Sequence, residues 1–189
     1  MAPATAGGAI RTSGSAGDRG AAPGLLGALM ARLAAVPSRR ALFTETKTLA
    51  ALRLPLHSSG RLAYRRPDRL DKITTWPQPE VLTVRAGRLR LTTDGATRRI
   101  DLAAQPVIAA LVEAVLGTLA GDLAGLRRDY HVRASGDLAA WRLVLTPRGA
   151  ALAGLLRQVA ITGRAGWLLR LRTVQTNGDV TVMIMTPAA

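Results

Sequence analysis

The chain has 189 residues, 48% of them hydrophobic, which is the length of one ordinary domain with enough apolar mass for a core. Its formal charge of +14 rests almost wholly on arginine, because Lys47 and Lys72 are the only lysines. Cysteine is absent, which excludes disulfides, thiolate metal sites and cysteine nucleophiles, and no apolar run reaches the ~18 to 20 residues of a membrane-spanning helix.

Residues 1–23 are rich in Ala, Gly, Ser and Thr and lack the apolar stretch of a signal peptide. They read as a flexible tail or the remnant of an N-terminal extension, ahead of a single domain over 24–189. The Gly14 to Gly24 stretch has no Gly-Lys-Ser/Thr of a phosphate loop. From Gly24 to Val36, Leu25, Leu26, Leu29, Met30, Leu33 and Val36 form a helical stripe, so an amphipathic helix is expected there.

Short β-type segments then alternate with turn signals, the pattern of an antiparallel meander. They are expected at Arg40 to Leu52, Arg61 to Arg66, Arg69 to Trp76, Glu80 to Arg85, Arg88 to Thr93 and Ala96 to Leu102. Ala86-Gly87 and Asp94-Gly95 serve as two-residue hairpin turns. The pattern changes at Pro106, which suits the first turn of a helix, followed at helical spacing by Val107, Ile108, Leu111, Val112, Val115, Leu116 and Leu119. This helix reads either as a core element or as a movable cover over a cavity. After a short polar helix near Leu123 to Arg128, five more strands are expected: Tyr130 to Ser135, Ala139 to Thr146, Leu155 to Thr162, Trp167 to Gln175 and Asp179 to Thr186. That makes eleven.

Little in the sequence points to chemistry. His57 and His131 lack a second ligand at metal-binding spacing, so no metal site is expected. His57-Ser58-Ser59 has no nucleophile elbow around it and reads as a loop between strands. Most carboxylates stand in turns or at helix starts, and no acid and base pair emerges. The expectation is a protein that is not an enzyme and needs no cofactor. A lipid-modifying enzyme is a lesser alternative. The arginines are scattered, in pairs at most, and the six aromatic residues are too few for a base-stacking platform. No nucleic-acid partner is therefore expected, although a basic polyanion- or nucleic-acid-binding protein stays open as an alternative.

One set of motifs is more specific. Phe43-Thr44-Glu45 is followed by Gly60, by Arg66-Pro67 and by Trp76-Pro77-Gln78-Pro79, then later by Trp141-Arg-Leu-Val-Leu-Thr-Pro147 and the Gly178-Asp179 hairpin. In order and spacing these resemble the periplasmic outer-membrane lipoprotein carriers, the LolA-like family, from about Gly24 to Thr186. The resemblance implies a mainly β protein with helices: an incomplete antiparallel β-barrel of about eleven strands covered by an α-helical lid. It implies a periplasmic monomer that takes the acyl chains of a lipoprotein, or of another acylated lipid, into an apolar cavity and carries it toward the outer membrane. It further implies an inner-membrane releasing complex and an outer-membrane acceptor as partners. By position Arg66 matches the family's lid-holding arginine, and alternation puts Arg65 on the opposite face. The expected cargo-binding residues are Leu62, Tyr64, Leu70, Ile73, Leu89, Leu91, Ile108, Leu111, Val115, Trp141, Leu143 and Leu169. Val84, Val159 and Ile161 are also expected to point inward. Glu45, where the family carries an amide, is a departure, and so is Leu70, where an aromatic is common.

Overall fold

Alternating apolar and polar residues, closed at short intervals by Gly, Pro and Asp, fold here into strands joined by tight turns. The computed structural model describes residues 24–188. The tail expected over 1–23 lies outside the described residues. Eleven strands form one antiparallel sheet: β1 (Ser38–Thr48), β2 (Leu56–Arg65), β3 (Arg69–Trp76), β4 (Glu80–Arg85), β5 (Arg88–Thr93), β6 (Ala96–Ile100), β7 (Tyr130–Gly136), β8 (Trp141–Pro147), β9 (Leu156–Arg164), β10 (Trp167–Gln175) and β11 (Val180–Pro187). The order is β6-β5-β4-β3-β2-β1-β11-β10-β9-β8-β7. The first and last strands therefore pair at the centre, and β6 and β7 are left as free edges. The sheet is an incomplete barrel.

Turn chemistry fixes the narrow hairpins. Ala86 and Gly87 have φ of 48° and 69°, and Asp94 and Gly95 have 51° and 76°. Two consecutive positive values match the right-handed twist of the flanking strands.

The chain between the two edge strands supplies the lid. A single 3-10 turn (Leu102–Ala104) leads into α2 (Pro106–Ala120), then α3 (Leu123–Asp129) runs into β7. Pro106 occupies the first turn of α2, and Gly121 ends it in the left-handed region with φ of 70°. A Cβ at Gly121 would collide with the Met30 carbonyl oxygen of α1 (Leu25–Ala34), so this glycine also lets the two helices approach. A fourth helix, α4 (Ala150–Ala153), joins β8 to β9; it is too short to show in the sequence periodicity.

The helices cover the inner face of the β7–β9 half of the sheet. Leu29 and Leu33 of α1 and Ala114 of α2 are fully buried in one cluster with Leu143, Leu145, Val159 and Ile161. Trp141 is buried beside them, and its indole N–H donates to the Ala165 carbonyl at 3.1 Å.

Several expectations need correction. Ile73 does not face inward: Leu70 and Lys72 line the inner cavity and Thr74 is buried, so period two sends Ile73 to the outer face, between Arg61 and Val81. Leu169 is displaced by a register irregularity between Leu168 and Arg170, which turns Leu168 and Leu171 inward instead. His57-Ser58-Ser59 is not a loop but part of β2. Gly60, just ahead of the strand expected from Arg61, belongs to β2 as well. It sits inside it, at a second irregularity where a Cβ would run into the Ile73 carbonyl of β3.

Candidate functional site

Between α2 and the inner face of the sheet lies an apolar cavity of about 130 Å³. Val115 and Leu119 of α2 form its roof, Leu62, Tyr64 and Leu70 one wall, and Leu168, Leu171, Met183 and Met185 another. That volume is close to the ~150 Å³ of an engineered aliphatic cavity that stays dry and takes benzene. It is too small for a long acyl chain.

The expected cargo residues divide by position. Leu62, Tyr64, Leu70 and Val115 line this cavity. Leu91 pairs with the cavity residue Leu82 on the inner face, and the buried Leu89 pairs with buried Val84. Trp141 and Leu143 are enclosed in the filled part of the core, against which Leu111 packs. Ile108 is half-buried on α2, away from the cavity. Ile73 and Leu169 are not brought to the cavity.

At one end of the cavity stands a buried arginine, one of those that are scattered in pairs along the sequence. Arg39 of β1 donates from Nη2 to the Leu33 carbonyl at 2.6 Å and from Nη1 to Val36 and Leu119 at 3.3 Å each. Its Nε donates to Gly166 at 2.8 Å. One guanidinium thus joins the C-terminal ends of α1 and α2 to the β9–β10 turn. The carbonyls there carry the negative end of each helix dipole and lack partners within the helix. Arg39 also lies 5.7 Å from the centre of the Tyr64 ring. Burial lowers its pKa from the usual arginine value, with Tyr64 acting the other way. A signal for it was present: Phe43 is an inward residue of the same strand, and Arg39 shares its parity.

Arg66 does reach a helix carbonyl, but on α1 rather than the apolar helix α2. Its Nη1 donates to Ala34 at 2.7 Å from an exposed position. The two arginines approach the α1 C-terminus together, Arg39 from inside and Arg66 from outside.

Farther along the inner face, Glu45 is buried with Lys72 at 2.9 Å and Lys47 at 3.3 Å. Burial alone would raise the Glu45 pKa; the two ammonium groups outweigh it and hold the carboxyl below its usual range. Both lysines of the chain are therefore spent on one carboxylate, which makes physical sense of the acid standing where the carriers have an amide. Lys72 also lines the apolar cavity, and beyond it a cleft of about 450 Å³ extends to Leu56 and Trp76 at the rim.

On the other side of α2, a cleft of about 390 Å³ runs along Ala109, Val112 and Leu116 toward α3. Tyr130 is buried there, and its hydroxyl donates to the Ala110 carbonyl at 2.8 Å. Burial raises its pKa, helped by Glu113 and Asp129. Glu113 and Asp129 line the same cleft, and burial, with Asp129 beside it, raises the Glu113 pKa as well. No described helix is long and apolar enough to cross a membrane.

Comparison with known proteins follows the same lines. The chain is similar to a LolA superfamily protein from Nitrosomonas europaea, at 13% identity over 86% of this chain and 91% of that one, with a TM-score of 0.45. A DUF1329 family protein from Desulfovibrio piger matches at 10% identity over 85% and 88%, with a TM-score of 0.48. A putative outer membrane lipoprotein-sorting protein domain from Vibrio parahaemolyticus matches at 12% identity over 86% and 90%, with a TM-score of 0.45. No curated protein matches the sequence. These structural likenesses are weak, and it is the family model that places the protein. It matches residues 21–189, and the chain belongs to the outer membrane lipoprotein carrier protein LolA-like family.

Proposed function

We propose that the protein is a non-catalytic periplasmic carrier that holds the acyl chains of a lipoprotein or related lipid beneath α2 and moves that cargo toward the outer membrane. The observation that carries this reading is the apolar cavity roofed by α2, with the ends of α1 and α2 held by arginine hydrogen bonds that can be broken and remade. Magnitudes support a lid that opens. Each buried methylene contributes ~0.8 kcal/mol, whereas a charged hydrogen bond is worth about 1.5 to 3 kcal/mol. A long acyl chain thus gains enough to displace several such bonds, while a short one does not.

In this reading Arg66 controls the lid through α1, and the cavity residues Leu62, Tyr64, Leu70 and Val115 meet cargo first. Leu89, Leu91, Ile108 and Leu111 meet it as α2 moves. The carrier receives cargo from an inner-membrane releasing complex and passes it to an outer-membrane acceptor. It acts as a monomer, since the free edge β6 carries exposed Arg98 and Arg99, which resist edge-to-edge pairing; sedimentation equilibrium checks this.

The test is binding of a fluorescent fatty acyl probe in high salt, with mass spectrometry of any lipid that copurifies. Burial of aliphatic surface survives salt and phosphate contacts do not. Saturable probe uptake with displacement by long-chain lipid is expected; its absence at high salt sinks the carrier reading.

A further inference from the structure

The outer face of the sheet has a character that the linear sequence hides. Strand period two sends Arg61 of β2, Arg90 of β5, Arg133 of β7, Arg142 of β8 and Arg170 and Arg172 of β10 to the side away from the helices. Arginines that stand in scattered pairs along the chain thereby share the outer face: Arg61 on β2 and Arg170 and Arg172 on β10 flank the central β1 and β11, three strand spacings or ~14 Å apart, while Arg90 on β5 and Arg133 and Arg142 on β7 and β8 lie toward the two ends of the sheet. Among the described residues the sole carboxylate on this face is Asp71, already held by Arg69 at 2.8 Å and by Thr83 at 2.9 Å. The other described acids lie on the inner face, in turns or on the helices.

The face is not purely polar. Leu42 is 53% exposed and sits opposite Arg61, while Ile184 is 49% exposed and sits opposite Arg170. The two are diagonal neighbours across β1 and β11, and Val81 continues the row beyond Ile73. Aliphatic side chains standing among guanidinium groups are the signature of a surface that meets headgroup phosphates and the upper acyl boundary together. Nucleic acid fits less well. Among the described aromatic residues Trp167, at the end of β10, is the one that lines a cleft with the outer-face Arg40, Arg65 and Arg69; a single ring at the margin is no stacking platform, and the face has only strands, with no helix to enter a groove.

We propose that the outer sheet face, centred on Arg61, Arg170 and Arg172 with Leu42 and Ile184, is a docking surface for an anionic phospholipid bilayer. This goes beyond the carrier reading and does not need it, because the surface lies on the opposite side of the sheet from the cavity.

The experiment measures cosedimentation of the full chain with phosphatidylcholine vesicles, with and without about 30% phosphatidylglycerol. The parent is expected to bind the anionic vesicles and to release them progressively as salt rises. Arg61→Glu/Arg170→Glu/Arg172→Glu should weaken binding by at least about a hundredfold, since each arginine near an anionic surface contributes about 1 kcal/mol and each new carboxylate is repelled. A charge-matched control, Arg53→Glu/Arg98→Glu/Arg127→Glu, removes the same charge away from this face and should bind nearly as the parent does. Leu42→Ser/Ile184→Ser should weaken vesicle binding and leave any binding to duplex DNA unchanged. Equal losses in both triple variants would reduce the effect to total charge and overturn the proposal, as would preferential binding of DNA over anionic vesicles. Acyl-probe uptake in the outer-face triple variant should equal that of the parent, so that failure here is distinguishable from failure of the carrier reading.

Discussion

Arg39 and Arg66 end on carbonyls of the same helix terminus, yet their surroundings give them different duties. Arg39 is 6% exposed and makes four hydrogen bonds, so its removal strands buried carbonyls of α1, α2 and the β9–β10 turn. Arg39→Leu should cost at least about 2 kcal/mol in urea unfolding. Arg66 is exposed and makes one such bond, to α1, so Arg66→Leu should leave the urea midpoint nearly unchanged. If that single bond biases the lid toward closure, the Arg66→Leu variant takes up acyl probe and releases it more slowly, whereas Arg65→Leu behaves as the parent. Equal release rates in all three would reduce Arg66 to a solvated charge at a strand end.

At the scale of elements, α2 has free space on both flanks, the apolar cavity under Val115 and Leu119 and the cleft along Val112 and Leu116. Ala110, Ala114, Thr118 and Leu119 pack one face of α2 into the core, so a shift of the helix costs those contacts while the space on its flanks accommodates it. Its close approach to α1 depends on Gly121, where any side chain meets both the left-handed φ and the Met30 carbonyl. Gly121→Ala should therefore loosen the α1–α2 end by about 1 kcal/mol or more. Hydrogen exchange would read this as faster exchange in α1 and α2 with β8 and β9 unchanged. Uniform acceleration across the whole sheet would mean instead that the helices and sheet open as one unit.

For the molecule as a whole, acid stability follows from the buried charge cluster. Glu45 has a folded-state pKa held below its unfolded value of about 4.3. Its pairing with Lys72 and Lys47 then contributes stability that is fully present above that pH and is lost as pH falls through the folded-state pKa. The Glu45→Gln variant should be less stable than the parent at neutral pH, and the difference should close as the solution is acidified. Urea midpoints measured across the acid range check this, and a gap independent of pH would show that the carboxylate charge contributes nothing.

Local physics carried most of the fold. Eleven strands were legible from alternation and turn residues, because strand period and turn conformation depend on neighbours in the chain, although the first half of β2 read as a loop. Pro106 and the apolar spacing behind it marked α2 for the same reason. What depends on register was not legible: Ile73 and Leu169 changed faces because parity is set by pairing partners and by irregularities such as the one beside Leu168. The roles of charges were hidden more deeply still. Arg39 looked like half of a surface pair until α1, α2 and the β9–β10 turn closed around it. The +14 charge looked diffuse until eleven strands in one order put Arg61, Arg170 and Arg172 on one face, flanking Leu42 and Ile184. Sequence spacing determines that residues two apart on a regular strand share a face, but which face that is, and the company kept there, come from strands far away in the chain, and only the tertiary structure decides it.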